Sequence, residues 1–227
     1  HRFFQHVSKK NGITFDFVDT TQVQNIEKRL KPETKAVFIE TPTNPMMKVT
    51  DIAAVSKLCK ANKLLLIVDN TFLTPYLQKP LMLGADVVIH SGTKYLGGHN
   101  DTLAGFLVVS DQGLAERLRF LSKTMGACLS PFDSWLLIRG IKTLPVRMEQ
   151  QQKTAFQIAK WLKEQDKIKA VHYPGFPDHP GYEVTIRQTT GFGAMLSFET
   201  NSEETAHQML ERVSLIQYAE SLGGVES

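Results

Sequence analysis

The sequence predicts an α/β fold: a large lobe with a mostly parallel sheet wrapped by helices, followed by part of a smaller α+β lobe. Three observations carry this expectation. From Phe3 to about Gly140, short apolar runs bounded by turn residues alternate with segments of helical spacing, the pattern of a parallel sheet wrapped by helices. The apolar runs are short enough for strands, and Asn44, Asp69 and Lys94 each follow one of them. Beyond a long helical stretch at 142–164 the pattern changes to two strands and a helix.

Residues 13–18 alternate apolar and polar and are expected as a strand. Residues 21–30 have helical spacing, with Val23, Ile26 and Leu30 on one side. A buried strand is expected at 36–40, after which Thr-Pro-Thr-Asn-Pro (41–45) breaks the chain into a loop. Asp51 is placed to cap a helix whose Ile52, Val55, Leu58 and Cys59 share a face. Strands follow at 64–68, 86–90 and 105–109. A helix is expected after Gly113. Ser130-Pro131 starts another, carrying Trp135, Leu136 and Ile138. The helix at 142–164 has Met148, Ala155, Ile158, Ala159 and Leu162 on its apolar side. The division of the chain is placed at its beginning, giving residues 1–140 and 141–227. In the second part, strands are expected at 170–173 and 194–198 and a helix at 202–213. The turn-rich 173–181 reads as a surface loop, because nothing at ligand spacing completes a metal site with His172 and His179.

Three of these elements end in chemistry. Asn44, Asp69 and Lys94 each follow the carboxyl end of a strand, where parallel sheets bind their ligands. A lysine amine there can form a Schiff base with an aldehyde. An aspartate beside it can hold a pyridine nitrogen protonated, which is the pair pyridoxal phosphate requires. Ser91 and Thr93 offer hydroxyls to a phosphate, and Gly92 lets the backbone come close. A solvated loop lysine and a capping aspartate are the bland readings of each residue alone; the surroundings weigh against them. His90 and His99 flank the lysine as structural neighbours.

Ser-Gly-Thr-Lys-Tyr-Leu-Gly-Gly-His (91–99), Val-Asp-Asn-Thr-Phe (68–72), Glu-Thr-Pro-Thr-Asn-Pro (40–45) and Ser-Leu-Gly-Gly-Val-Glu-Ser (221–227) resemble the cystathionine gamma-synthase family of Cys/Met metabolism. The four motifs stand in the family's order and span the chain. The resemblance implies a fold-type I architecture and pyridoxal 5'-phosphate as cofactor. It implies Lys94 as the Schiff-base lysine, Asp69 as the pyridinium partner, and Ser91 and Thr93 as phosphate-binding hydroxyls. Asn44 then serves both cofactor and substrate carboxylate, Ser221 lies near the lysine and the substrate carboxylate, and Glu220 sits at a position linked to substrate choice. The family's chains are longer, so the resemblance also implies a piece of a larger protein. Upstream would stand a glycine-containing phosphate loop, a ring-stacking Tyr and a Tyr-Arg pair lent to a neighbouring subunit. Downstream would stand a carboxylate-clamping Arg. A homotetramer built from site-sharing dimers is the family's assembly.

Composition narrows the alternatives. With 42% hydrophobic and 22% charged residues over 227 positions, the chain has enough apolar content for a sizeable core. The net charge of +3 comes from well-mixed charges, without the basic tracts of a nucleic-acid binder. Two distant cysteines, Cys59 and Cys128, argue against a disulfide scaffold and fit a reducing cytoplasm. No apolar run approaches the ~18 residues of a membrane span. There is no Gly-x-Gly-x-x-Gly, Gly-Lys-Ser/Thr, His-Glu-x-x-His or Gly-x-Ser-x-Gly motif. A noncatalytic relative would be marked by loss of the lysine or the aspartate, and both are present.

The expected reaction is gamma-replacement on an acylhomoserine by cysteine, with gamma- and beta-lyases of cystathionine as the alternatives. Residues 95–101, 131–135 and 219–224 look most like the bacterial synthases and thiolyases. Small amino-acid substrates are the expected partners, with neither nucleic acid nor membrane.

Overall fold

In a computed structural model of the chain, residues 2–217 and 219–226 are described; Ser227, which closes the last motif, lies outside the described residues. Two short helices, α1 (Arg2–His6) and α2 (Val23–Glu27), precede the sheet. The sheet is built from β1 (Ala36–Glu40), β2 (Leu65–Asp69), β3 (Val87–Ser91) and β4 (Gly105–Val108), in spatial order β1-β2-β3-β4. The first three strands run parallel and β4 returns antiparallel to β3.

The β1–β2 crossover is α3 (Ile52–Ala61), capped as expected: the Asp51 carboxylate accepts the Ala54 N–H at 2.9 Å. Its buried Ile52, Val55 and Cys59 pack on Val37 and Ile39 of β1, Leu66 and Val68 of β2, and Val88 of β3. Each such aliphatic side chain stabilises the fold by about 1.5–3 kcal/mol when fully buried. Side chains alternate across a strand, so only one face of β1 enters this core. Phe38 and Leu65, on the opposite face, remain 39% and 43% exposed. Strand 36–40 is therefore half-buried, where a buried strand was expected. The alternation has a consequence for chemistry: Asp69 shares the face of Leu65 and Ile67, away from the α3 core.

After β2 comes the short α4 (Thr74–Leu77); after β4 come α5 (Gln112–Met125), α6 (Pro131–Lys142) and the long α7 (Leu144–Lys163). Ser130 caps α6 by accepting the Asp133 N–H at 3.0 Å. A second sheet pairs β5 (Ile168–His172) antiparallel with β6 (Ser197–Thr200). Between them runs α8 (Tyr182–Gln188), and α9 (Glu203–Arg212) follows. Ala155 and Ala159 of α7 pack on Tyr173 and Phe176.

Three sequence expectations change here. Residues 13–18 form no strand: alternation supplies an apolar face, but the backbone finds no partner strand among the described residues. Phe15 instead stacks on Phe4, with centroids 4.5 Å apart. The helix expected over 21–30 stops at Glu27, ahead of Pro32, which disfavours helical backbone in the residue before it. The segment 173–181 is a loop but not a surface one, since Tyr173 and Phe176 are buried against α7, and the α8 that follows it was not expected.

Candidate active site

Neighbouring strands lie ~4.8 Å apart, and Glu40, Asp69 and Ile89 are paired across β1, β2 and β3. The carboxyl ends of three adjacent parallel strands thus stand side by side. Asp69 closes β2, one residue inside the strand rather than after it as expected, while Asn44 and Lys94 follow the ends of β1 and β3.

Asp69 is held by the turn behind it. Its Oδ1 accepts the Thr71 N–H at 3.0 Å and the Thr71 hydroxyl at 2.6 Å. The Thr71 oxygen in turn accepts the Ser91 N–H at 2.9 Å. On β1, Glu40 brings a second carboxylate: burial first, then the Asp69 charge, raises its pKa. Its Oε1 accepts the Asn44 N–H at 3.3 Å. His90 faces the opposite side of β3 and is buried. Burial lowers its pKa against the pull of Asp69. His99 is tied locally, with Nδ1 at 2.8 Å from Gly97 O. Both histidines are neighbours of the site and donate nothing to Lys94.

Lys94 lies in a wide helical turn, Gly92–Leu96, and its own backbone leaves the helical region (φ −91°, ψ −132°). Its Nζ donates to Ser221 Oγ at 3.2 Å. Ser221 has φ +100°, a backbone state that costs a non-glycine residue about 1–3 kcal/mol and concentrates at functional sites. The segment behind it is fastened to the loop after the lysine turn and to α7. Asn100 Nδ2 reaches Glu226 Oε2 at 2.8 Å, and Gln151 Nε2 reaches Gly224 O at 2.9 Å. At Gly223 (φ +82°) a Cβ would stand 2.8 Å from the Tyr95 nitrogen, so only glycine lets the two strands of chain touch.

The predicted residues are thus partly assembled. Lys94 meets Ser221, and Asp69 meets Ser91 through Thr71. Thr93 is committed elsewhere: its hydroxyl accepts the Ala104 N–H at 3.0 Å and donates to Ala104 O at 3.3 Å. Asn44 and Glu220 are exposed, and among the described residues no hydrogen bond joins either to Lys94 or Asp69.

Sequence reading missed Arg147. Nine per cent exposed and without a carboxylate partner among the described residues, it gives Nη1 to Tyr95 O at 2.7 Å and Nη2 to Gly140 O at 2.8 Å. Its Nε reaches Thr143 Oγ1 at 3.1 Å. It clamps the exit of the lysine turn to α6 and α7. The only signal was a lone cation among the apolar Leu144 and Met148 of α7. Arg147→Met is expected to take the guanidinium donor from the buried Tyr95 carbonyl, Gly140 O keeping its bonds from Thr143, and to destabilise the fold by about 1–3 kcal/mol, measured by urea denaturation. A loss below about 0.5 kcal/mol removes the clamp.

The donor set fits a phosphorylated pyridine aldehyde: an amine and, among the described residues, a carboxylate with Oδ2 unengaged and a Ser91 hydroxyl without a hydrogen-bond partner. Over residues 1–227 the chain matches the Cys/Met metabolism PLP-dependent enzyme family. It is 48% identical over 227 residues to a cystathionine gamma-lyase of Bacillus subtilis (strain 168), covering all of this chain and 60% of the relative. It is 49% identical over 227 residues to a cystathionine gamma-synthase/O-acetylhomoserine (thiol)-lyase of the same organism, covering 57% of that protein. A crystal structure of cystathionine gamma-lyase from Lactobacillus plantarum, complexed with L-serine, superposes with a TM-score of 0.97 at 44% identity, over 99% of this chain and 59% of that one. The fold is the α/β, mostly parallel fold-type I architecture, and this chain spans about 60% of the length of its curated relatives.

Proposed function

Because the chain belongs to the Cys/Met metabolism PLP-dependent enzyme family, we propose that the whole protein is a trans-sulfuration enzyme that replaces the gamma-substituent of an acylhomoserine with the thiol of cysteine. The observation that carries the site is the pairing of Lys94 Nζ with Ser221 Oγ at 3.2 Å, beside the strand end that carries Asp69.

Bound there, pyridoxal phosphate supplies an electron sink for negative charge at the substrate's alpha carbon. Everything else falls to the chain. Lys94 Nζ would hold the cofactor aldehyde and, once the substrate's own amine has displaced it, would serve as the base at the alpha carbon and as the acid–base group for departure of the gamma substituent and addition of the thiol. Ser221 Oγ keeps the amine within reach of that carbon. Asp69 Oδ2 places a negative charge at the ring nitrogen. Ser91 offers its hydroxyl to the phosphate, and Thr93 joins it by turning its hydroxyl from Ala104 O. Asn44, on the loop after β1, serves the substrate carboxylate.

We read residues 1–140 as the cofactor lobe and 141–227 as the smaller lobe; the four-stranded and two-stranded sheets fall on either side of that division. A reducing cytoplasm fits two free cysteines. Burial pushes the Cys59 thiol up to about 11, which leaves it unreactive. The family's assembly, a homotetramer, completes the reading.

A second reading, carbon–sulfur lysis of cystathionine, is favoured by the 48% identity to a gamma-lyase. The two separate in one assay. Acylhomoserine plus cysteine is expected to yield cystathionine in the full-length protein, and turnover of cystathionine alone to be much slower; the reverse order establishes the lyase.

Glu220 refines the substrate. Its carboxylate, one residue before Ser221, is read as the partner of the amino group of cysteine, which sulfide lacks. A partly desolvated charge-assisted bond is worth ~1.5–3 kcal/mol, or roughly tenfold to a hundredfold. Glu220→Ala is expected to lower kcat/KM for cysteine by that factor while leaving sulfide nearly unchanged. An unaltered ratio between the two thiols ends the recognition role.

A further inference from the structure

We propose that Thr71 is the positioning residue that aims Asp69: its hydroxyl ties the carboxylate to the backbone of the lysine segment, holding one oxygen and leaving the other for a cationic ring nitrogen. The inference rests on the reading of Asp69 as the ring-nitrogen partner.

Three distances make the joint. The Thr71 hydroxyl donates to Asp69 Oδ1 at 2.6 Å, and the Thr71 N–H donates to the same oxygen at 3.0 Å. The Ser91 N–H donates to the Thr71 oxygen at 2.9 Å. A hydroxyl has one proton to give, and the Ser91 N–H directs that proton towards Asp69 by occupying a lone pair behind it. The terminal torsion of an aspartate is intrinsically broad. Two donors on Oδ1 remove that freedom, and a bond to an ionised acceptor is stronger than a neutral one. Threonine is stiff about χ1, so the aim costs little further ordering. Strand register sets the scene, since Asp69 pairs with Ile89 and Ser91 lies two residues on, on the same face. Oδ2 has no hydrogen bond among the described residues.

The test uses the full-length apo-protein, titrated with pyridoxal phosphate and with its 1-deaza analogue, which lacks the ring nitrogen. Thr71→Val keeps the shape but loses the hydroxyl; Thr71→Ser keeps the hydroxyl. Thr71→Val is expected to weaken pyridoxal phosphate binding about tenfold, the scale of one hydrogen bond to a charged group. Thr71→Ser should stay within about twofold of wild type, and Thr71→Val should bind the 1-deaza analogue as wild type does. Equal losses for both ligands overturn the inference, because Thr71 then merely supports the pocket. An unchanged affinity for pyridoxal phosphate in Thr71→Val overturns it as well. Wild-type protein that binds the two ligands alike removes the earlier reading of Asp69 itself, a separate outcome from either.

Discussion

In the full-length protein, Lys94→Ala is expected to lower kcat/KM by at least ~10³-fold, the scale for a group that serves as both acid and base. The same change should abolish covalent attachment of pyridoxal phosphate after borohydride reduction, read by mass spectrometry of the Lys94 peptide. Both effects trace to one atom. Nζ is the amine that faces Ser221 Oγ, and no other described lysine makes that contact. The fold should survive, because the half-buried side chain makes one hydrogen bond, worth about 1 kcal/mol. Near-normal turnover, or reductive attachment at another lysine, sinks the assignment.

Asp69→Asn should keep the local structure and lose the chemistry. The amide retains an oxygen for both Thr71 donors, so the turn after β2 has no reason to change. What disappears is the charge. Removing one preorganised electrostatic partner typically costs 10²–10³ in rate, so kcat is expected to fall by about that factor while cofactor remains bound. Glu40 gives an independent readout: burial keeps its pKa raised, but the contribution of the Asp69 charge is lost. Its titration should move back towards the ordinary carboxylate range, observable by NMR. If cofactor affinity and rate are both unchanged, Asp69 only anchors the turn.

Lys94, Asp69 and Ser91 were legible because each follows an apolar run at a strand end. Strand periodicity is a local property, written within five residues. The α3 cap at Asp51 and the α6 cap at Ser130 were legible for the same reason. The strand expected at 13–18 failed because a strand exists only with a partner, and no run of residues states whether a neighbour will arrive. Thr71 stood in a quoted motif without a role. Its bond to Asp69 is a turn of two residues, but its bond to Ser91 crosses from β2 to β3.

The sequence by itself determined the family and, to within a residue, the strands of the first sheet, and it supplied the amine and the carboxylate proposed for the site. Motif order, apolar periodicity and reactive side chains are all properties of short stretches of chain. Only the tertiary structure decided what those residues touch. It set Lys94 against Ser221 across 127 positions, engaged Thr93 with Ala104, and buried Arg147 under the lysine turn across 52. Those contacts depend on helix packing and on the close approach that Gly223 permits. Such contacts join segments far apart in the chain, and their geometry exists only once the hydrophobic core has brought those segments together.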